Sequence, residues 1–249
     1  WEKAGIWPAR EVLKKMGDLG LLGIAKPESV GGLGLDYSYQ VAFAEALGHC
    51  DCGGLPMAIG VQTDMATPAL ARFGSDELRR EFLAPAIAGD MVCSIGVSEP
   101  HAGSDVAAIK TTARKDGGDY VINGAKMWIT NSLHGNCIAL LVKTDPKAEP
   151  RHKGMSLLIA EKGPGFTVSK KLEKLGYKGI DSAELVFNDY RVSADRLIGG
   201  VEGKGLQMIL NGLELGRINV AARGVGVAQA AMNEAVKYSQ QRKTFGKPI

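Results

Sequence analysis

The run MVCSIGV (Met91–Val97), followed at once by SEPHAGSD (Ser98–Asp105), is where the chain changes periodicity. The first piece is short and apolar and ends in polar, turn-forming residues, as a buried strand does. The second is too polar for a core strand, and Pro100 and Gly103 break any helix. Further along, KMWITN (Lys126–Asn131) again sets an aromatic and a hydroxyl at the end of an apolar segment. Small hydroxyls, a bare glycine and a tryptophan at strand ends suit a bound ligand, and the rest of the chain tests that idea.

Upstream, residues 8–90 read as helical. Pro8 suits a first helical turn, and Val12, Leu13, Met16 and Leu19 recur at helical spacing. The glycines of PESVGGLGLD (27–36) interrupt the chain. Asp36 is the expected N-cap of a second helix carrying Val41, Phe43, Ala44 and Leu47. A third helix is predicted over 64–73. Ser75 caps a fourth, with Leu78, Phe82, Leu83 and Ile87 on its buried side and a stop near Gly89.

Downstream, residues 91–200 read as strands. Tyr120-Val121-Ile122 and Lys126–Thr130 flank Asn123-Gly124, a hairpin signal because both turn positions favour positive φ. CIALLVK (137–143), MSLLIAE (155–161), FTVSK (166–170) and AELVFN (183–188) are further strands. No helical stretch alternates with them, which predicts an antiparallel sheet or β-barrel rather than a Rossmann fold. From 203 to 243 a helical stripe returns, through Leu206, Ile209, Leu210, Leu213, Val220, Ala221, Ala228, Ala231, Met232 and Ala235. Gly212, Gly216, Gly224 and Gly226 weaken this helix but let a neighbour come close. So long a helix implies a bundle whose other members lie past Ile249, and neither Trp1 nor Ile249 reads as a natural terminus. The expected class is α+β multidomain, with a helical domain over 1–90, a β-barrel over 91–200 and a truncated helical bundle over 201–249.

The 249 residues carry a net charge of +3, with 45% hydrophobic and 23% charged residues, ordinary values for a globular chain. The densest basic stretch, Lys170-Lys171-Leu172-Glu173-Lys174, is interrupted, so a solvated face is expected and no nucleic-acid partner. No apolar run approaches the roughly 18 residues of a transmembrane segment. Cys50, Cys52, Cys93 and Cys137 form no disulfide framework, which points to a reducing compartment. His49-Cys50-Asp51-Cys52 lacks the second ligand pair of a structural zinc site, so no metal is expected. Walker A, HExxH and GxSxG motifs are absent, and GGLGLD (31–36) follows helical sequence and lacks the third glycine of a dinucleotide fingerprint.

Three motifs could carry chemistry. In SEPHAGSD, Gly103 lets backbone amides approach a ligand and Ser104 adds a hydroxyl, which suits an anion such as pyrophosphate. An ordinary Ser or Asx turn has the same composition. Strand alternation puts Trp128 and Thr130 on one face, an aromatic plate beside a hydroxyl, suited to a flat heteroaromatic ligand or to simple core packing. Arg242 and Thr244 of RKTFG again suit phosphate, or complement the preceding helix C-terminus.

In order, SEPHAGSD, KMWITN, the Gly-rich LIGGVEGKG (197–205) and RKTFGKPI (242–249), set in an α–β–α frame, resemble the acyl-CoA dehydrogenase family. The segment LGLLGIAKPESVGGLGLD (19–36) is similar to that family's first helical domain. The resemblance implies an FAD enzyme, usually a homotetramer, that introduces an α,β double bond into acyl-CoA and passes electrons to an electron-transfer flavoprotein. It further implies that the final helices belong to a four-helix bundle. Cofactor contacts would come from Ile95, Gly96, Val97, Ser98, Gly103, Ser104, Trp128, Ile129 and Thr130, with Arg242, Thr244 and Phe245 reaching the FAD of a neighbouring subunit. Ser104, Glu214 and Arg217 would meet the acyl-CoA. The catalytic base is expected beyond Ile249, because the alternative position before Arg217 is Gly216. His101 stands where the family commonly has glycine, and Ser193 where it has proline. Rival readings are an acyl-CoA oxidase and a non-catalytic flavin- or CoA-binding subunit. Bacterial cytoplasm and mitochondrial matrix fit equally.

Overall fold

A computed structural model describes residues 1–249. Helix α1 (Ala9–Asp18) follows Pro8 and buries Ala9 and Leu13. Helix α2 (Tyr37–Leu47) is capped by Asp36, whose Oδ1 accepts the Ser38 N–H at 2.8 Å. The expected third helix begins ten residues early: α3 (Gly54–Gly60) runs through a π-helical turn (Val61–Ala66) into α4 (Pro68–Phe73). Its sequence, with Gly54, Pro56 and Gly60, carries little helix propensity. Burial decides instead, since every residue of the π turn is buried. Ser75 caps α5 (Asp76–Leu78), accepting the Leu78 N–H at 3.2 Å. A second π turn (Arg79–Leu83) joins it to α6 (Ala84–Ile87), and Phe82, Leu83 and Ile87 face inward as expected.

Nine strands follow in chain order: β1 (Cys93–Gly96), β2 (Thr112–Asp116), β3 (Asp119–Thr130), β4 (Cys137–Lys143), β5 (Met155–Ala160), β6 (Phe166–Lys171), β7 (Ser182–Ser193), and the short pair β8 (Lys243–Thr244) and β9 (Lys247–Pro248). The first seven form one curled sheet in the order β1-β4-β2-β3-β7-β6, with β5 on β4. It is a half-barrel, and it is mixed, because β1 runs parallel to β4. The Asn123-Gly124 hairpin is not formed. Both residues lie inside the continuous β3, and the reversal falls one signal earlier, at Gly117-Gly118 between Asp116 and Asp119. Gly124 sits at a bulge with φ +147°, where a Cβ would strike Thr111. Asn123 bonds across to Asp189, its amide donating to Oδ1 at 3.0 Å. The glycine answers a close approach there, not a turn.

Strand β4 is apolar from Cys137 to Val142 because both its faces are covered. Ile138, Leu140 and Val142 fill the inside of the curl with Ile122, Leu185 and Phe187. Cys137, Ala139 and Leu141 meet the helices through Leu70, Phe82 and Leu83.

Helix α7 (Gly205–Gln241) is continuous. Its buried face is not the apolar stripe read from the sequence. Gly205, Met208, Ile209, Gly212, Gly216, Asn219, Ala222, Arg223 and Gly226 face inward, while Leu210, Val220 and Met232 are exposed. Glycines are what permit the contact: a Cβ on Gly226 would lie 2.0 Å from the Glu45 carbonyl oxygen of α2. Gly224, expected to do the same, has nothing within 4 Å. No helix is long and apolar enough to cross a membrane.

Candidate functional site

The two motifs flagged in the sequence are joined directly. The Met127 N–H donates to the Ser98 carbonyl at 2.9 Å, so KMWITN lies alongside the start of SEPHAGSD. Beneath this contact sits a buried ion pair that the sequence reading missed. Lys126 Nζ donates to Glu99 Oε1 at 2.8 Å and to the Val97 carbonyl at 3.0 Å, with both side chains almost fully covered. Glu99 also accepts the N–H groups of Lys110 at 2.6 Å and Thr111 at 3.0 Å. The backbone doubles back between Glu99 and Ala102, which exchange both hydrogen bonds and lift Pro100 and His101 outward. Burial alone would raise the Glu99 carboxyl, but the Lys126 ammonium and the surrounding donors outweigh it and hold the group below the usual carboxylate range. Burial also lowers Lys126, to about 8 against the pull of Glu99, so both partners are charged at neutral pH.

The pair has a consequence for Trp128. With Lys126 and Ile129 both turned inward, the strand bulges between them, and Trp128 takes φ +66°. A tryptophan in the left-handed region is strained, and here it projects from the sheet with 55% of its surface exposed. Ser98 and Thr130 beside it are half-buried and Ser104 is exposed. Neighbouring Thr111 and Ser132 spend their hydroxyls on backbone carbonyls. Those of Ser98, Ser104 and Thr130 have no partner within the chain. Trp128 is thus an exposed aromatic plate on the segment that meets Ser98, and the loop starting at Ser98 runs on to Gly103, around which there is open space. Gly96, Val97 and Ile129 belong to this region through their backbone only. A Cβ on Gly96 would meet Leu140, and Val97 and Ile129 are core residues. Ile95 is half-buried against the same core.

A second buried network ties this region to α7. In the π turn, Gln62 accepts the Cys93 N–H of β1 at 2.7 Å and donates to the Met91 carbonyl at 2.9 Å. Two residues on, Asp64 Oδ2 accepts Asn219 of α7 at 2.8 Å, Gln40 at 3.1 Å and Thr63 at 2.8 Å, and Oδ1 accepts Tyr37 at 3.0 Å. Tyr37 shares its proton with the Leu215 carbonyl, also at 3.0 Å. Lys26 is buried nearby and donates to the Thr63 carbonyl at 2.7 Å. Burial raises Asp64 despite these donors, and lowers Lys26 to about 8. Glu214 and Arg217 are exposed on the same stretch of α7. Arg217 lines a cleft of about 320 Å³ with Met65, Leu213, Gly216 and Val220.

Arg242, Thr244 and Phe245 are not brought to the Trp128 site. They follow the far end of α7, which spans roughly 55 Å at 1.5 Å per residue. Phe245 (φ +50°) and Gly246 (φ +76°) form the turn of the β8–β9 hairpin, and the Phe245 side chain is fully exposed. A cleft of about 550 Å³ between Glu161–Gly165 and Asn188–Ser193 holds none of the predicted site residues.

Family models for acyl-CoA dehydrogenases match in order along the chain, the N-terminal domain over residues 1–90, the middle domain over 94–190 and the C-terminal domain over 203–249. Mitochondrial isovaleryl-CoA dehydrogenase of Pongo abelii is 37% identical over 241 residues, covering 96% of this chain and 56% of that protein. Human mitochondrial short-chain specific acyl-CoA dehydrogenase is 38% identical and covers the whole chain and 59% of its own length. The crystal structure of an acyl-CoA dehydrogenase from Geobacillus kaustophilus superposes with a TM-score of 0.93 at 41% identity, over all of this chain and 64% of that one. The chain thus spans somewhat over half the length of the curated relatives it matches. Matched by three successive domain models and by relatives along its full extent, the chain belongs to the acyl-CoA dehydrogenase family.

Proposed function

We propose that this chain is the cofactor- and thioester-binding part of an enzyme that oxidises acyl-CoA to the α,β-unsaturated acyl-CoA, with FAD as oxidant and an electron-transfer flavoprotein as acceptor. The observation that carries the reading is the joined pair of motifs, with Trp128 held out at positive φ and the hydroxyls of Ser98, Ser104 and Thr130 unpartnered within the chain. That donor set fits FAD. Trp128 supplies a face for the flat ring, and Ser98 and Thr130 supply hydrogen bonds at its edge. Ser104 and the amides around Gly103 would take the pyrophosphate. Held by Trp128, Ser98, Thr130 and Ser104, bound FAD would supply the acceptor for a hydride from the β-carbon.

The protein's own share is position and field. Glu99 and Lys126 hold the loop against β3, and the Asp64 layer ties the π turn to α7, the helix that carries Arg217. The α-proton must go to a carboxylate, and no residue here is assigned to it. Gly216 has no acid to offer, and Glu214 is exposed on α7. We place the base in the part of the protein that follows residue 249. Arg242, Thr244 and Phe245, set far from Trp128, are read as contacts to the FAD of a neighbouring copy in a homo-oligomer.

The test uses the full-length protein. Purified under anaerobic conditions, it should show the visible spectrum of bound flavin, bleach on addition of acyl-CoA and reoxidise slowly in air. Absence of flavin after reconstitution with FAD, or no bleaching with any acyl-CoA, would overturn the proposal. Fast reoxidation by oxygen would assign an oxidase instead.

A further inference from the structure

We propose that the polar layer centred on Asp64 closes the inner end of the acyl cleft and restricts the enzyme to short acyl groups. The inference rests on the thioester-binding reading of the cleft beside Arg217. Met65 and Gly216 form that cleft's inner wall, and a Cβ on Gly216 would lie 2.9 Å from Met65 Cγ. Next to these wall residues along the chain, and more deeply buried, are Asp64, the neighbour of Met65, and Asn219, three residues on from Gly216, which are hydrogen-bonded to each other at 2.8 Å. An acyl chain that grows past Met65 therefore meets a carboxylate and its donors, not an apolar channel.

The layer is built to stay shut. Asp64 already faces four donors, Tyr37, Gln40, Thr63 and Asn219, of which Tyr37 and Thr63 share their proton with the Leu215 and Ile59 carbonyls, and these occupy the four acceptor positions of an ionised carboxylate. It has nothing left to offer a polar acyl end, so it acts as a stopper and not as a ligand. An apolar chain entering the layer would strip donors from a carboxylate that is 2% exposed, and it could not replace them. The wall cannot swing aside either. Tyr37 fastens α2 both to Asp64 and to the Leu215 carbonyl. A Cβ on Gly212 would lie 3.0 Å from the Met65 carbonyl oxygen, so α7 and the π turn are already in close contact. Unpairing a buried charge of this kind is worth on the order of 100-fold in an equilibrium constant.

The experiment compares butyryl-, isovaleryl-, octanoyl- and glutaryl-CoA on the full-length, FAD-loaded protein, measuring kcat/KM and, separately, the dissociation constant of each thioester. The wild type should lose at least about tenfold in kcat/KM and in affinity from butyryl- to octanoyl-CoA. The double variant Asp64→Leu, Asn219→Leu, which replaces both partners by apolar groups, should narrow that gap by about tenfold through octanoyl-CoA affinity. If the double variant does not fold, Gln40→Leu removes a single donor and should shift the same ratio in the same direction. A wild type that binds octanoyl-CoA as well as butyryl-CoA overturns the inference. So does a preference for glutaryl-CoA, or a folded variant with an unchanged ratio. Failure to bind or turn over any thioester would instead overturn the proposed function.

Discussion

Lys126 shows how one side chain can set another's conformation. It was read from the sequence as part of a β-strand alternating in and out, yet it turns inward to Glu99 and leaves Trp128 displaced to the outside. Lys126→Met would leave Glu99 buried and unpaired, a loss of about 3–5 kcal/mol. The expected outcome is a lower melting temperature and FAD that washes out on gel filtration, read from the absorbance ratio of flavin to protein. The pair also has a pH signature. Glu99 is held below its ordinary value in the fold, so its stabilisation is complete above about 4.3, the unfolded value. It disappears as pH falls through the lower folded value. The melting-temperature gap between wild type and Glu99→Gln should therefore close as the pH falls below the carboxylate range. A gap that widens on acidification contradicts the assignment.

At the scale of elements, α7 is held by what its glycines lack. Gly226 of α7 and Gly48, just after α2, let the two backbones touch: a Cβ on Gly48 would lie 2.7 Å from the Arg223 carbonyl oxygen. Gly226→Val should destabilise by about 3 kcal/mol, because backbone cannot move aside as a side chain can. Gly224 faces open space, so Gly224→Ala should instead add about 1 kcal/mol through helix propensity. Chemical denaturation of both variants checks the pair. Equal effects would mean that propensity, not contact, governs the helix. This is also where the sequence misled. Its strongest apolar stripe was assigned to the buried face, but small and polar residues bury best where two helices nearly touch.

On the scale of the whole molecule, the exposed apolar side chains of α7, only some of them from that stripe, are the main unfinished surface. Leu210, Ile218, Val220, Val225, Val227, Met232, Val236 and Tyr238 are exposed along α7, with Phe245 beyond. A patch of this extent marks an interaction surface. The 249-residue chain is expected to associate in solution, eluting above its 26.3 kDa in size-exclusion chromatography. Replacing Val225, Met232 and Val236 by glutamate should shift it toward the monomer. A wild-type chain that elutes as a monomer at high concentration would show that the stripe is tolerated in water.

By itself, the sequence determined the α–β–α order, the caps at Asp36 and Ser75, most of the strands and the two motifs that meet at the candidate site. These are local signals of periodicity, capping chemistry and residue type, legible within a few positions. The tertiary structure alone decided the reversal at Gly117-Gly118, the Glu99–Lys126 pair, the outward turn of Trp128 and the layer around Asp64. Lys126 lies 27 positions from Glu99, and Asn219 lies 155 from Asp64. A buried charge is intelligible only beside its partner, and partners so far apart in the chain meet only when the fold brings them together.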